Sequence, residues 1–106
     1  MNQMQSLEAH LTALHDELSA AAKAEESQAR ERIDAALQHI EAAQAQLKAR
    51  TSARTEQIGA HLDTLREHGA HAANERGETL RERLHKMMAT CKDAIGHCIE
   101  EQTMTP

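Results

Sequence analysis

Large apolar side chains recur along this chain at alternating steps of three and four residues. The first series runs Met4, Leu7, Leu11, Leu14 and Leu18 and closes on Ala21. Such steps return a side chain to one side of an α-helix, so the series predicts an amphipathic helix with a narrow apolar seam, as in bundles and coiled coils. Ser6 or Asn2 stands where a cap is wanted. A charged and polar run from Lys23 to Gln28 interrupts the seam, which resumes at Ala29, Ile33, Leu37, Ile40, Gln44 and Leu47. Lys48 to Thr55 contains no large apolar residue, and Thr51, Ser52 and Thr55 are suited to cap a helix beginning near Glu56. The third series is Ile58, Leu62, Leu65, Gly69 and Ala72. It is the weakest, since Gly59 and Gly69 each cost about 1 kcal/mol of helix propensity relative to Ala. The stretch from Asn74 to Thr79 reads as a turn, because Gly77 can take the left-handed conformation. The fourth series is Leu80, Leu84, Met88 (or its neighbour Met87), Cys91, Ile95, Cys98 and Ile99, and the tail 103–106 reads as flexible.

The first half of the chain reappears in the second at an offset of 51 residues. Ala9-His10-Leu11 and Leu14 return as Ala60-His61-Leu62 and Leu65, and Arg30-Glu31-Arg32-Ile33 as Arg81-Glu82-Arg83-Leu84. Over positions 7–49 against 58–100, ten of 43 aligned residues are identical. The spacing predicts internal repeats 7–50 and 58–101 within a single helical domain, residues 1–106. The expected fold is all-α, a four-helix bundle made of two duplicated hairpins with turns near 23–28, 51–55 and 74–78. The alternative is a set of long helices in an oligomeric coiled coil. The consecutive four-residue steps at 54–58–62 and 76–80–84 favour that second architecture.

Composition reinforces helix and limits the core. The 106 residues include no Phe, Tyr, Trp or Val, which leaves a pleated sheet little to pack with. Half of the apolar residues are Ala, which lose least on entering a helix and let helices approach closely. Ordering a residue costs roughly 1.5 kcal/mol, so so thin a core favours self-association or a partner helix. The expectation is a homo-oligomer with a protein partner.

The formal charge is −5, and the first 22 residues hold Glu8, Asp16 and Glu17 with no Lys or Arg. With no basic stripe and no aromatic to stack on a base, no nucleic-acid partner is expected. No apolar run approaches the ~20 residues of a membrane span, and the first residues lack a signal-peptide pattern. Cys91 and Cys98 are therefore expected as reduced thiols in a cytoplasm.

The candidate chemistry is sparse. Seven residues apart on one helix face, Cys91 and Cys98 have Cα atoms roughly 10 Å apart, too far for a mutual disulfide. The repeat puts them in the seam places of Ile40 and Leu47, so they read as small core residues. His85, Met88, Cys91, His97 and Cys98 form the one set suited to a soft ion such as Cu(I). Copper-storage bundles present many more inward cysteines, so no metal and no cofactor is expected. Glu82-x-x-His85 has the spacing of a di-iron carboxylate bundle, but its counterpart is Glu31 and Asp34, one and a half motifs where two are needed. The eight His, several of them flanking the third seam, admit a pH-tuned assembly.

No nucleophile, base and orienter occur in a recognisable order, and no catalytic residue is assigned. The residues expected to carry interactions are those of the seam: Leu7, Leu11, Leu14, Leu18, Ile33, Leu37, Ile40, Leu47, Ile58, Leu62, Leu65, Leu80, Leu84, Met88, Cys91, Ile95 and Cys98. The reading is a non-enzymatic interaction protein, a small scaffold, chaperone, adaptor or inhibitor. In its Ala-, Gln- and Glu-rich amphipathic texture the stretch 7–100 also resembles phasins and apolipoprotein-type helices. That resemblance implies a coat on a hydrophobic surface. Here the apolar stripe is narrow and often only Ala, so a membrane or lipid surface is the second expectation and a soft-metal bundle the third.

Overall fold

Helix is what this composition allows, and a few residues decide where each helix stops. A computed structural model describes residues 3–104, with side chains from Met4 to Thr103, as four α-helices. They are α1 (Gln3–Lys23), α2 (Glu26–Leu47), α3 (Ala53–Ala72) and α4 (Gly77–Met104). No strand occurs among the described residues. None of these helices is long and apolar enough to cross a membrane.

The first turn is tighter than the polar run suggests. Only Ala24 and Glu25 lie outside helix, and Ala24 N donates to the Ala21 carbonyl. Glu26 to Gln28 form the opening turn of α2, where Glu26 suits the positive end of the helix dipole. The second turn, 48–52, ends at Ser52, whose extended backbone and side chain cap α3 by accepting from Thr55 N at 3.1 Å. That cap starts α3 at Ala53, three residues before the expected Glu56. The third turn, 73–76, delivers the chain to Gly77 at φ +62°. A side chain there would be strained, which fixes glycine at the entry to α4. Ser6 caps nothing; it lies inside α1 and accepts from Gln46 Nε2 of α2 at 3.2 Å. Asn2 is outside the described residues. Of the tail expected at 103–106, Thr103 and Met104 complete α4, and the last two residues are again outside the described range.

Helix α1 packs on α2 and α4, and α3 packs on the same two. The result is an up-down-up-down four-helix bundle with extents of 46 × 22 × 19 Å. Its core is the seam. Twelve described residues of the first half are buried, and each has a buried counterpart 51 residues later: Met4 and Thr55, Leu7 and Ile58, through to Leu47 and Cys98.

The burial corrects the seam at four places. Ala36, Ala43, Met87 and Ala94 face the centre, whereas Leu37, Gln44, Met88 and Ile95 are half-buried on the shoulders one position later. At three of these places the strict three-four alternation selects the small residue, and at the fourth it exchanges one methionine for another. The larger neighbour then reaches sideways over the adjoining helix. Leu37 shows why: its Cδ2 lies 2.6 Å from where a Cβ on Gly69 would be, with Met87 Cε 3.5 Å away. Gly69 is thus the seat of Leu37, a close approach that offsets its poor helix propensity.

The glycines predict opposite signs on substitution. At Gly59 and Gly96 an added Cβ meets nothing within 4 Å. Gly59→Ala and Gly96→Ala should each stabilise the bundle by about 1 kcal/mol. Gly77→Ala should destabilise it by about 1–2 kcal/mol. Thermal melts followed by circular dichroism check this, and a loss of stability in both Gly59→Ala and Gly96→Ala would show that those helix faces are occupied.

Candidate functional site

Of the four neighbouring helix pairs, α2 and α3 lie against each other least closely. Ala45 and Gly59, small residues on α2 and α3, line a groove of about 680 Å³ between them. Ala45, Leu47, Thr55 and Gly59 line its inner part, and Gly59 has open space where a Cβ would be. Its rim carries Glu41, Glu56 and Asp63 against Lys48, Arg50 and Arg66, three charges of each sign. One polar link spans the two helices. Gln44 Nε2 donates to Asp63 Oδ1 at 2.9 Å, and Arg66 donates to Gln44 Oε1 while standing 3.7 Å from Asp63.

The groove ends at a clasp that fastens the α2–α3 turn to the last turns of α4. Ser52 Oγ donates to Glu101 Oε1 at 3.0 Å, and Arg50 lies 3.6 Å from the same carboxylate. Arg54 pairs with Glu100 beside it. Ser52 Oγ also sits 2.8 Å from the buried Thr55 hydroxyl, so one serine caps α3 and anchors the turn. Single exposed ion pairs contribute little, but these share residues and hold a loop that would otherwise move. A mixed-charge rim around a small-residue floor lacks the single sign that a phosphate or polyanion needs. It matches an amphipathic segment that brings an apolar edge and charges of both signs.

The seam residues named from the sequence are internal. Leu7, Leu11, Leu14, Leu18, Ile33, Ile40, Ile58, Leu62, Leu65, Leu84, Cys91 and Cys98 are fully buried, with Leu47 and Leu80 nearly so. Only Leu37, Met88 and Ile95 reach a shoulder. The soft-ion set is dispersed. Cys91 and Cys98 face α1, where their thiols donate to the carbonyls of Leu11 and Met4 at 3.3 and 3.6 Å. Cys98 Sγ also lies 3.1 Å from Met4 Sδ. His97 faces α3 instead, stacked on His61 with ring centroids 5.2 Å apart, and His85 is exposed. Among the described residues no three His, Cys, Asp or Glu are grouped to hold a metal ion. The groove, the clasp and the His61–His97 stack are missed by periodicity. The one available signal was Gly59, a helix-weakening residue in a series that already lacked apolar mass.

Two of the titratable environments yield predictions. Burial first, and then the nearby Asp16 carboxylate, push the Cys91 thiol up to about 12. Burial and the Glu8 carboxylate push Cys98 up to about 12 as well, against a smaller opposing effect of Arg50. At pH 8 roughly one thiol in ten thousand is then thiolate, the reactive form. Both cysteines should resist a thiol reagent in native buffer and react at once in denaturant. Immediate reaction of both in the native protein would remove them from the core.

His68 on α3 is half-buried, and its buried Nδ1 has no hydrogen-bond partner. Burial, then the Arg83 guanidinium, with Lys86 and His71 adding, lower its pKa below the ordinary histidine value of 6.5, while Glu67 opposes. The unfolded chain therefore takes up this proton first as pH falls. Stability should be unaffected by His68 well above pH 6.5 and decline below it. His68→Gln should shrink the difference in melting temperature between about pH 7.5 and pH 5.5. An unchanged difference would assign the acid sensitivity elsewhere.

No family model matches the chain, and it matches neither a curated protein nor a solved structure.

Proposed function

We propose that this protein is a non-enzymatic interaction module that receives an amphipathic helix of a partner protein in the α2–α3 groove. The observation that carries the reading is the groove itself, about 680 Å³ held open beside Gly59 while α1 closes tightly on both its neighbours. From Thr55 to Arg66 it follows α3 for about 16 Å, three helical turns. Its walls are helices, so the natural occupant is a further helix packed ridge into groove. The occupant would set small or medium apolar side chains over Ala45 and Gly59 and flank them with acidic and basic residues opposite the rim. Pairing along the rim then sets register and orientation.

A coat on a hydrophobic surface, the second reading, draws on the same seam residues that fill the core. It requires the helices to separate, and no observation favours that over a closed bundle. A soft-metal role has less support, since the soft donors face different helices.

Gly59→Trp tests the groove, because a Cβ at this position meets nothing within 4 Å and the bulk beyond it would compete with an occupant. The variant should keep the helix content and melt of the native protein and lose partner affinity by tenfold or more, about 1.4 kcal/mol. A photo-crosslinker at position 45 in the native protein, with mass spectrometry of the adduct, should identify a helical segment of one partner. A partner bound equally by Gly59→Trp would defeat the assignment.

A further inference from the structure

The face opposite the groove, made by α1 and α4, carries a second set of features. Ile99 is 45% exposed, the exposed large hydrophobic of the described chain. With half-buried Met88 and Ile95 it forms one stripe on α4, at spacings that keep a single helix face. The stripe lies on the α1 side, because Gln102, next along it, lines one hollow together with Gln5, Glu8 and Ala9 of α1. Beside this ridge α1 presents a shallow hollow of about 600 Å³ lined by Ala9, Thr12 and Ala13 between Glu8 and Asp16. Ridge and hollow lie side by side, so neither fills the other within one chain.

The charges follow the same division. Before Lys23, α1 carries carboxylates and no Lys or Arg, whereas the stripe on α4 is flanked by Lys92 and Arg81. Asp16, Arg81 and Lys92 take part in none of the ion pairs among the described residues, which all lie elsewhere.

We infer that this face binds a second copy of the chain about a two-fold axis parallel to the helices, seating Met88 and Ile95 of each α4 against the α1 hollow of the other copy and Ile99 over the start of that α1. The charges choose the axis. A two-fold axis running across the helices stacks α1 on α1 antiparallel and sets the carboxylates of one α1 against those of the other. An axis along the helices stacks α1 on α4 and sets them near Lys92. The levels agree with this choice. The thiol bonds place residue 91 beside residue 11 and residue 98 beside residue 4. Lys92 is thus level with residue 10, between Glu8 and Asp16, and Met88 and Ile95 bracket the Ala9–Ala13 hollow. Rotation about an axis along the helices keeps every residue at its level, so Met88 and Ile95 meet the hollow and Ile99, level with residue 3, meets the start of the other α1. The face spans most of the 46 Å length and about 20 Å of width. That is on the order of the 800 Å² per partner buried in a standard interface. The inference goes beyond the groove reading and does not rest on it, since the two faces lie on opposite sides of the bundle.

Sedimentation equilibrium of the full chain from about 1 μM to 1 mM measures the association directly. The native protein should form a dimer and no larger species. Ile99→Glu, at an exposed position, should keep the helix content and weaken the dimer about a hundredfold. Lys92→Glu should weaken it about tenfold, and Lys92→Glu combined with Glu8→Lys should restore it. A monomer throughout the range, or a dimer indifferent to Ile99→Glu, overturns the interface. A double variant that stays weak overturns the stacking of α1 on α4. Gly59→Trp should leave the dimer unchanged, so failure here is separable from failure of the groove.

Discussion

The bundle depends on how closely four helices can approach when no aromatic side chain is available to fill the space between them. Leu, Ile and Met supply the volume, and Ala supplies the nearness. Ala36, Ala43 and Ala94 stand at the centre of their helices' inner faces, so the backbones draw together and the leucines of the neighbours meet across a short distance. Gly69 carries this to its limit, giving up its side chain so that Leu37 and Met87 can occupy the place. Close packing of this kind leaves little tolerance, and where the facing residues are small but unmatched by a large neighbour the structure opens. The groove beside Gly59 is that case. Core and groove therefore come from one rule, with small residues either covered or left uncovered.

Much of the architecture was legible in the three-four spacing, because a seam needs only that apolar residues return to one side. The turns were legible where a residue type has a backbone reason to be there: Ser52 as a cap, Gly77 as a left-handed entry. The spacing could not say which of two adjacent residues faces the centre. Leu37 and Ala36 differ by about 100° around the helix, and size favours the leucine while the close approach of the helices favours the alanine. The same conflict misplaced Ile95 against Ala94, while Met88 and Met87 are equal in size and only the register tells them apart. The polar run from Lys23 to Gln28 misled in another way, since a charged first turn of helix and a loop have the same composition. Apart from the hint of Gly59, the groove was not legible, because it is a distance between two helices, and periodicity describes each helix by itself.

The polar contacts have a narrower task than their number suggests. Ser52, Arg50 and Glu101 bind the turn between the two hairpins to the far end of α4. At the opposite end Arg83 grips Glu75 with two bonds, at 2.7 and 3.2 Å, and holds the α3–α4 turn. Hydrogen bonding to Arg83 keeps the Glu75 carboxyl below its usual range, so this grip is present at neutral pH and is released only in acid. Both devices sit at helix ends, where backbone groups lose their intrahelical partners and fraying begins. The middle of the bundle is held mainly by packing, with the Gln44–Asp63–Arg66 link as a polar bridge between α2 and α3.

The two halves bury equivalent positions but do not bury equivalent volumes. Where the first half has Leu18 the second has Gly69, and where the second has Leu80 and Met87 the first has Ala29 and Ala36. Two identical hairpins would fit together in several nearly equal ways, including pairings between chains and shifts by one turn. Moving the bulk from one half to the other removes that degeneracy. Each large side chain has a particular void to enter, and any exchanged or shifted pairing sets bulk against bulk at one level and emptiness against emptiness at the next. Overfilled layers cost about 1–3 kcal/mol and empty ones a similar amount. A chain whose halves had stayed alike would gain no such discrimination. Unequal volume at six of the twelve buried pairs works against exchanged and shifted pairings alike.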